Sequence, residues 1–133
     1  MDMERINPAG LARPSGFSHA VAAPPGRLVF LAGQLGTDRA GQVVPGGVVP
    51  QFEQALANLL TALAGAGGHP SDLASLTIYL TDVAGYQARG RQIGEVWRRL
   101  AGTEYPAMAG VGVTGLWRPG AVVEIQGIAV LSR

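Results

Sequence analysis

The sequence predicts an α+β fold, a mixed β-sheet with two helices packed on one face. Three observations carry this reading. Short stretches near both ends of the chain are continuously or alternately apolar, which is the pattern of strands. Two longer stretches in the middle repeat apolar residues at helical spacing. The order of these segments places a strand between the helices and strands at both ends, a mixed layout rather than a strict β-α alternation. With 133 residues the chain has the length of one domain, 1–133.

Residues 1–16 are polar and broken by Pro8, Gly10, Pro14 and Gly16, so an extended lead-in is expected. A short strand follows over 17–22, and Pro24-Pro25-Gly26 turns the chain. Leu28 to Ala32 is apolar throughout, as in a strand covered on both faces. The loop 37–47 leaves room for a short strand at Val43-Val44. A helix should begin at Val49 or Pro50, because proline suits a first turn. Its stripe is Phe52, Leu56, Leu59 and Leu63, widened by Ala55 and Leu60, and Gly65, Gly67 and Gly68 end it.

After a turn at 69–72, residues 73–80 alternate as a strand, with Leu76, Ile78 and Leu80 on one side and Thr77 and Tyr79 on the other. The second helix is expected over 83–100 with Thr81 or Asp82 as N-cap. Tyr86, Ile93, Trp97 and Leu100 form its stripe, and Arg91 and Glu95 lie four apart on the outer face. Gly90 and Gly94 each cost about 1 kcal/mol there relative to alanine. Close packing on the sheet would explain them. The last third reads as a hairpin of strands at 107–114 and 121–130 joined by a turn rich in Gly and Pro.

Within that last strand, Glu124 and Gln126 share a face with Ile128, opposite Val123, Ile125, Gly127 and Ala129. An isolated carboxylate is expensive to bury. Glu124 should therefore face a cleft, water or a partner chain, and it is the best candidate acid or base in the sequence.

Composition narrows the classes. The chain is 47% hydrophobic and 14% charged, too little charge to cover a monomer well, so an oligomer is expected. The net charge is +1, and Arg89, Arg91, Arg98 and Arg99, interleaved with Glu95, read as a solvated helix face rather than a nucleic-acid footprint. No cysteine is present, which excludes disulfides and thiolate chemistry, and His19 and His69 lie far apart, so neither metal nor cofactor is expected. No apolar run is long enough to cross a membrane, and the N-terminus lacks a secretory pattern, so the cytoplasm is the default compartment.

The same residues resemble the RidA (YjgF, reactive-intermediate deaminase) family. Pro106-Ala107-Met108 and Val123-Glu124-Ile125-Gln126 are similar to its C-terminal Pro-Ala-Arg and Val-Glu-Ile-Glu segments. Ala32-Gly33-Gln34-Leu35 resembles its Ser-Gly-Gln segment. The run from Pro14 to Val21 resembles its Gly-aromatic-Ser strand, and that from Gln54 to Leu59 its first helix. The resemblance spans residues 6–130. It implies a chorismate-mutase-like fold and a homotrimer whose sheets meet in a barrel-like core, with three small-molecule clefts between subunits.

The resemblance also assigns roles. It makes Glu124 the catalytic carboxylate that positions or activates water against an imine carbon, a reaction that needs a proton carrier. It sets Met108 where the deaminases have an arginine that grips the substrate carboxylate, which a thioether cannot do. Met108 then either favours an uncharged ligand or closes a pocket that has lost its ligand. Gly33 offers a backbone N–H to the ligand, although a bulge or close approach would also explain a glycine in a strand. Ala32 stands for a serine, Phe17 for a tyrosine and Gly110 for a common cysteine. The family's helix asparagine has no clear equivalent, Gly90 and Arg91 being nearest. His19 and Arg118 are candidates to compensate, against a structural role for the one and an exposed turn for the other.

Three functions follow from the resemblance. The first is a deaminase, hydrolysing imines or enamines with a preference shifted away from carboxylate-bearing substrates. The second is a non-catalytic ligand-binding or regulatory trimer. The family's older labels, translation inhibitor and endoribonuclease, give a third, and the near-neutral charge argues against RNA.

Overall fold

The computed structural model describes residues 2–132. A two-stranded ribbon pairs β1 (Glu4–Ile6) with β2 (Ala20–Ala22), so the polar lead-in contains a strand. The main sheet holds β3 (Arg27–Leu35), β4 (Leu73–Leu80), β5 (Ala107–Gly112) and β6 (Val123–Leu131), in the spatial order β3-β6-β4-β5. The helical segments are α1 (Val48–Gly65), α2 (Val83–Ala88) and α3 (Gly90–Ala101), with a short 3-10 turn at Pro70–Asp72 before β4. Val43 makes only an isolated bridge to Thr37.

The apolar stripe of α1 drives the packing. Phe52, Leu56, Leu59 and Leu63 are buried against Leu76 and Ile78 of β4 and Val123, Ile125 and Ala129 of β6. Each such side chain contributes roughly 1.5–3 kcal/mol of transfer free energy. Buried Ile93, Val96 and Trp97 of α3 extend this layer.

The second helix is two. Arg89 leaves helical geometry (φ −106°, ψ 19°) between α2 and α3. Gly90, the next residue, is a poor helix former, so the sequence holds the chain weakly there. The Asp82 side chain caps α2 by accepting from Gly85 N–H at 3.0 Å. Arg91 and Glu95 are exposed, but among the described residues they form no ion pair; α3 is tied to α1 instead by Arg99 and Glu53 at 2.8 Å.

The C-terminal strands do not form a hairpin. β4 lies between β5 and β6, antiparallel to β6 and parallel to β5. A parallel neighbour needs a crossover, and α2 with α3 supplies it between β4 and β5. Residues 113–122 then step over the end of β4 to reach β6. Adjacency in sequence and a Gly/Pro-rich connection were a misleading guide to pairing.

The sheet is covered on one face only. Leu28 and Phe30 of β3 are 60% and 73% exposed, and Phe30 pairs with half-exposed Ile128 of β6. Within one chain, therefore, β3 is not buried on both sides.

Candidate functional site

Strand register decides which side chains meet. Tyr79 of β4 pairs with Glu124 of β6, and Thr77 pairs with Gln126, all on the uncovered face. On the other edge of β6, Leu35 pairs with Glu124. The β3–β6 register slips between Leu31 and Gln34, which inserts one extra residue in β3. Gly33 sits in this bulge, and the Glu124 carboxylate folds directly over it; a Cβ at Gly33 would lie 2.9 Å from Glu124 Cδ. The two structural explanations for this glycine, a bulge and a close approach, both hold.

Among the described residues Glu124 forms no hydrogen bond or ion pair. Gln126 beside it is oriented by the Tyr79 hydroxyl, which donates to its Oε1 at 2.8 Å. These side chains line an open cavity of about 690 Å³, whose remaining wall is apolar: Leu35, Val113, Leu116 and Trp117. One wall can hold and move a proton, and the other can hold a hydrophobic group.

Met108 lies elsewhere. It pairs with Leu76 in the parallel β4–β5 ladder, and Leu76 is buried beneath the helices. Paired residues share a face. Met108 and Gly110 thus point to the helix layer, whereas Ala107, Ala109 and Val111 share the Glu124 face. Met108 lines a second cavity of about 490 Å³ with Phe52, Tyr86, Trp97 and Tyr105. Its walls are aromatic: Phe52 and Tyr86 meet edge to face at 6.0 Å, and Trp97 and Tyr105 stack at 6.1 Å. Burial pushes the Tyr86 phenol up to about 12. Gly90 and Gly94 also line it. Gly90 leaves open space, since a Cβ there would meet nothing within 4 Å, whereas a Cβ at Gly94 would lie 3.2 Å from Arg98 Nη1.

In one chain, then, Met108 and Glu124 face opposite sides of the sheet and cannot serve one ligand. β5 and β6 are not adjoining strands, and β4 separates them.

The other candidates fall at the margins. Ser18 Oγ donates to Tyr105 O at 2.7 Å, which brings Ser15 and Gly16 to the Met108 cavity. Phe17 meets the His19 ring edge-on at 5.1 Å. His19 Nε2 lies 2.7 Å from Ala12 O, so its ring ties down the lead-in and lines neither cavity. Ala32 is exposed in the bulge beside Gly33. Arg118 extends toward Gly41, where a Cβ would lie 3.6 Å from Nη2. Among the described residues no group of three His, Asp or Glu is placed to hold a metal. Among the described residues no helix is long and apolar enough to cross a membrane.

Sequence reasoning missed Tyr79, Trp117 and Tyr86 as site residues. Tyr79 had a signal, its place on the polar side of β4; Trp117 had only its residue type.

The model of the family described as Endoribonuclease L-PSP matches residues 10–131. The chain belongs to this family, that of the RidA proteins. A RidA relative from Capra hircus, described as 2-iminobutanoate/2-iminopropanoate deaminase, is 37% identical over 78% of this chain and 73% of its own. Protein DfrA from Myxococcus xanthus is 38% identical over 86% of this chain and 84% of its own. The crystal structure of YyfB from Yersinia pestis, a Rid-family protein of unknown function, superimposes with a TM-score of 0.87 at 33% identity, covering 98% of this chain and all of that one. The mixed sheet with its helices on one face is therefore the chorismate-mutase-like fold of the RidA family.

Proposed function

We propose that this chain forms a cytoplasmic homotrimer whose intersubunit clefts bind small molecules and hydrolyse imines or enamines, with a preference shifted away from substrates carrying a carboxylate. The observation that carries this reading is Glu124: a carboxylate with no partner among the described residues, seated on Gly33 in an open cavity. Relatives described as iminobutanoate/iminopropanoate deaminases support the reaction class.

The site's groups suit the following sequence of steps. Glu124 accepts a proton from water as the water oxygen bonds to the C=N carbon and the π pair moves to nitrogen. The same carboxyl then returns its proton to nitrogen. The carbinolamine then collapses: its hydroxyl proton passes through Glu124 to the departing nitrogen, the O–H pair forms C=O, and the C–N bond breaks with release of ammonia. The Gly33 N–H and the Gln126 amide are the neighbouring groups available to orient the substrate.

Two observations support the trimer. The uncovered apolar face exposes Leu28, Phe30 and Ile128, and a second chain would remove them from water. Met108 and Glu124 lie on opposite faces, so a site that uses both requires two chains. The altered preference rests on Met108 and its aromatic, uncharged surroundings. Losing a charge-assisted pair to a carboxylate lowers the rate on the order of a hundredfold or more.

The test is a coupled assay in which a serine dehydratase supplies 2-aminoacrylate. Wild type should turn it over weakly, Met108→Arg should raise the rate, and adding Glu124→Ala should abolish the gain. A folded Met108→Arg trimer with no new activity favours the second reading, a ligand-binding or regulatory trimer. That alternative draws on Phe17 and Ala32, where the expected hydroxyls are missing. An RNA activity finds little support in a chain of net charge +1.

A further inference from the structure

Trp117 is 89% exposed, the most exposed large apolar side chain among the described residues. A tryptophan ring carries one of the largest apolar surfaces of any side chain, and leaving it in water forfeits that burial. Its loop is not slack. Val113 N–H donates to Leu80 O at 2.8 Å at one end. At the other, the side chain of buried Gln51 binds Gly120 O at 3.1 Å and Val122 N–H at 2.9 Å. Both ends are fixed, and Trp117 is held out at the tip, on the wall of the Glu124 cavity.

We propose that Trp117 is the specificity wall of this site and that the chain selects substrates whose C=N is attached to a planar, aromatic group. The assignment rests on the proposed function for the place of the reacting carbon, but not on turnover. Three features favour a ligand over a second chain as the cover for Trp117. The cavity, about 690 Å³, has the size of small-molecule sites. A second chain that filled the space over Trp117, rather than bounding a cleft there, would also enclose Glu124, which has no partner among the described residues, and burying it unpaired is costly. An iminium nitrogen supplies the missing positive charge, and an attached ring lies against Trp117 and Leu116 while that nitrogen meets Glu124. Apolar contact thereby replaces the grip on a carboxylate that Met108 cannot make.

Benzamidine is the probe: a stable, cationic C=N on a planar ring, with acetamidine as its ring-less counterpart. Calorimetry on the protein should give benzamidine about tenfold or more tighter binding than acetamidine, as expected of an aromatic ring packed on indole while both cations meet Glu124 alike. Trp117→Ser should remove the difference and Trp117→Phe restore part of it. Iodide should quench Trp117 in the free protein, read as wild type minus Trp117→Ser emission, and benzamidine should protect it. Equal affinities, a preference that survives Trp117→Ser, or a Trp117 that iodide cannot reach without ligand would each overturn the proposal; the last would mean that a second chain covers it. The two readings fail separately. Benzamidine selectivity without imine hydrolysis removes the enzyme and keeps the wall. Hydrolysis of alkyl and aryl imines with equal kcat/KM, unchanged by Trp117→Ser, removes the wall and keeps the enzyme.

Discussion

Gly33 and Glu124 occupy one space: the carboxylate lies where a side chain on Gly33 would begin. The left-handed region does not demand this glycine, since its φ lies outside it; besides the bulge, the Glu124 carboxylate is what leaves no room for a side chain. Gly33→Ala should leave the fold intact, because the obstructing atoms belong to a flexible side chain. It should swing Glu124 away and lower imine hydrolysis at least about tenfold, a loss of about 1.4 kcal/mol in transition-state binding. Thermal melting measured beside kcat/KM checks both halves; an unchanged rate would show that this contact has no role in catalysis.

Gly127 makes the opposite case. A Cβ there would meet the Ser75 carbonyl oxygen at 2.8 Å as well as the Leu76 side chain. Backbone cannot give way as a carboxylate can. Gly127→Ala should destabilise the protein by about 1–3 kcal/mol, as overpacking does, while any surviving folded fraction keeps its activity. Denaturant unfolding with activity normalised to folded protein separates the two.

Phe30 and Ile128 are paired on the uncovered face. If three chains cover it, wild type should scatter light as a trimer, and Phe30→Glu, which forces charges together at the junction, should shift it to monomer. A stable wild-type monomer at micromolar concentration would remove the trimer and the cleft with it.

Burial raises Tyr86 from 10.0 to about 12. The folded chain therefore holds this proton after the unfolded chain has lost its own. The sign is fixed: stability is intact below pH 10 and falls as pH rises from about 10 toward 12. Tyr86→Phe should flatten that fall, measured as midpoint of urea unfolding against pH. A wild type whose stability changes no more than that of Tyr86→Phe over this range would show a solvated phenol.

Much of the fold was legible because local patterns were strong. The alternation Leu76, Ile78, Leu80 defines β4 with the bounds expected, and the α1 stripe is buried as its spacing requires. Pairing was not legible. Nothing in residues 107–131 signals that β4 inserts between β5 and β6, because that choice is made by long-range packing of the α2–α3 crossover. The site suffered accordingly. Glu124 could be assigned to its face from β6 alone, but the relation of Met108 to it depends on the parallel register with β4. Gly33 was readable as special in a strand, whereas its contact with Glu124 emerges only from the bulge.

The central claim is that one site draws Glu124 from one chain and the Met108 cavity from another. Mixed trimers test it most directly. Glu124→Gln removes the carboxylate; Gly90→Trp puts a large ring into the aromatic cavity that Gly90 lines, from a position whose Cβ would meet no atom within 4 Å. Each variant alone should be inactive. Denatured together in equal amounts and refolded, they should regain about a quarter of wild-type activity, the fraction of clefts that receive an intact half from each neighbour in a cyclic trimer. Mixed trimers of confirmed mass that remain as inactive as either parent would contradict the account.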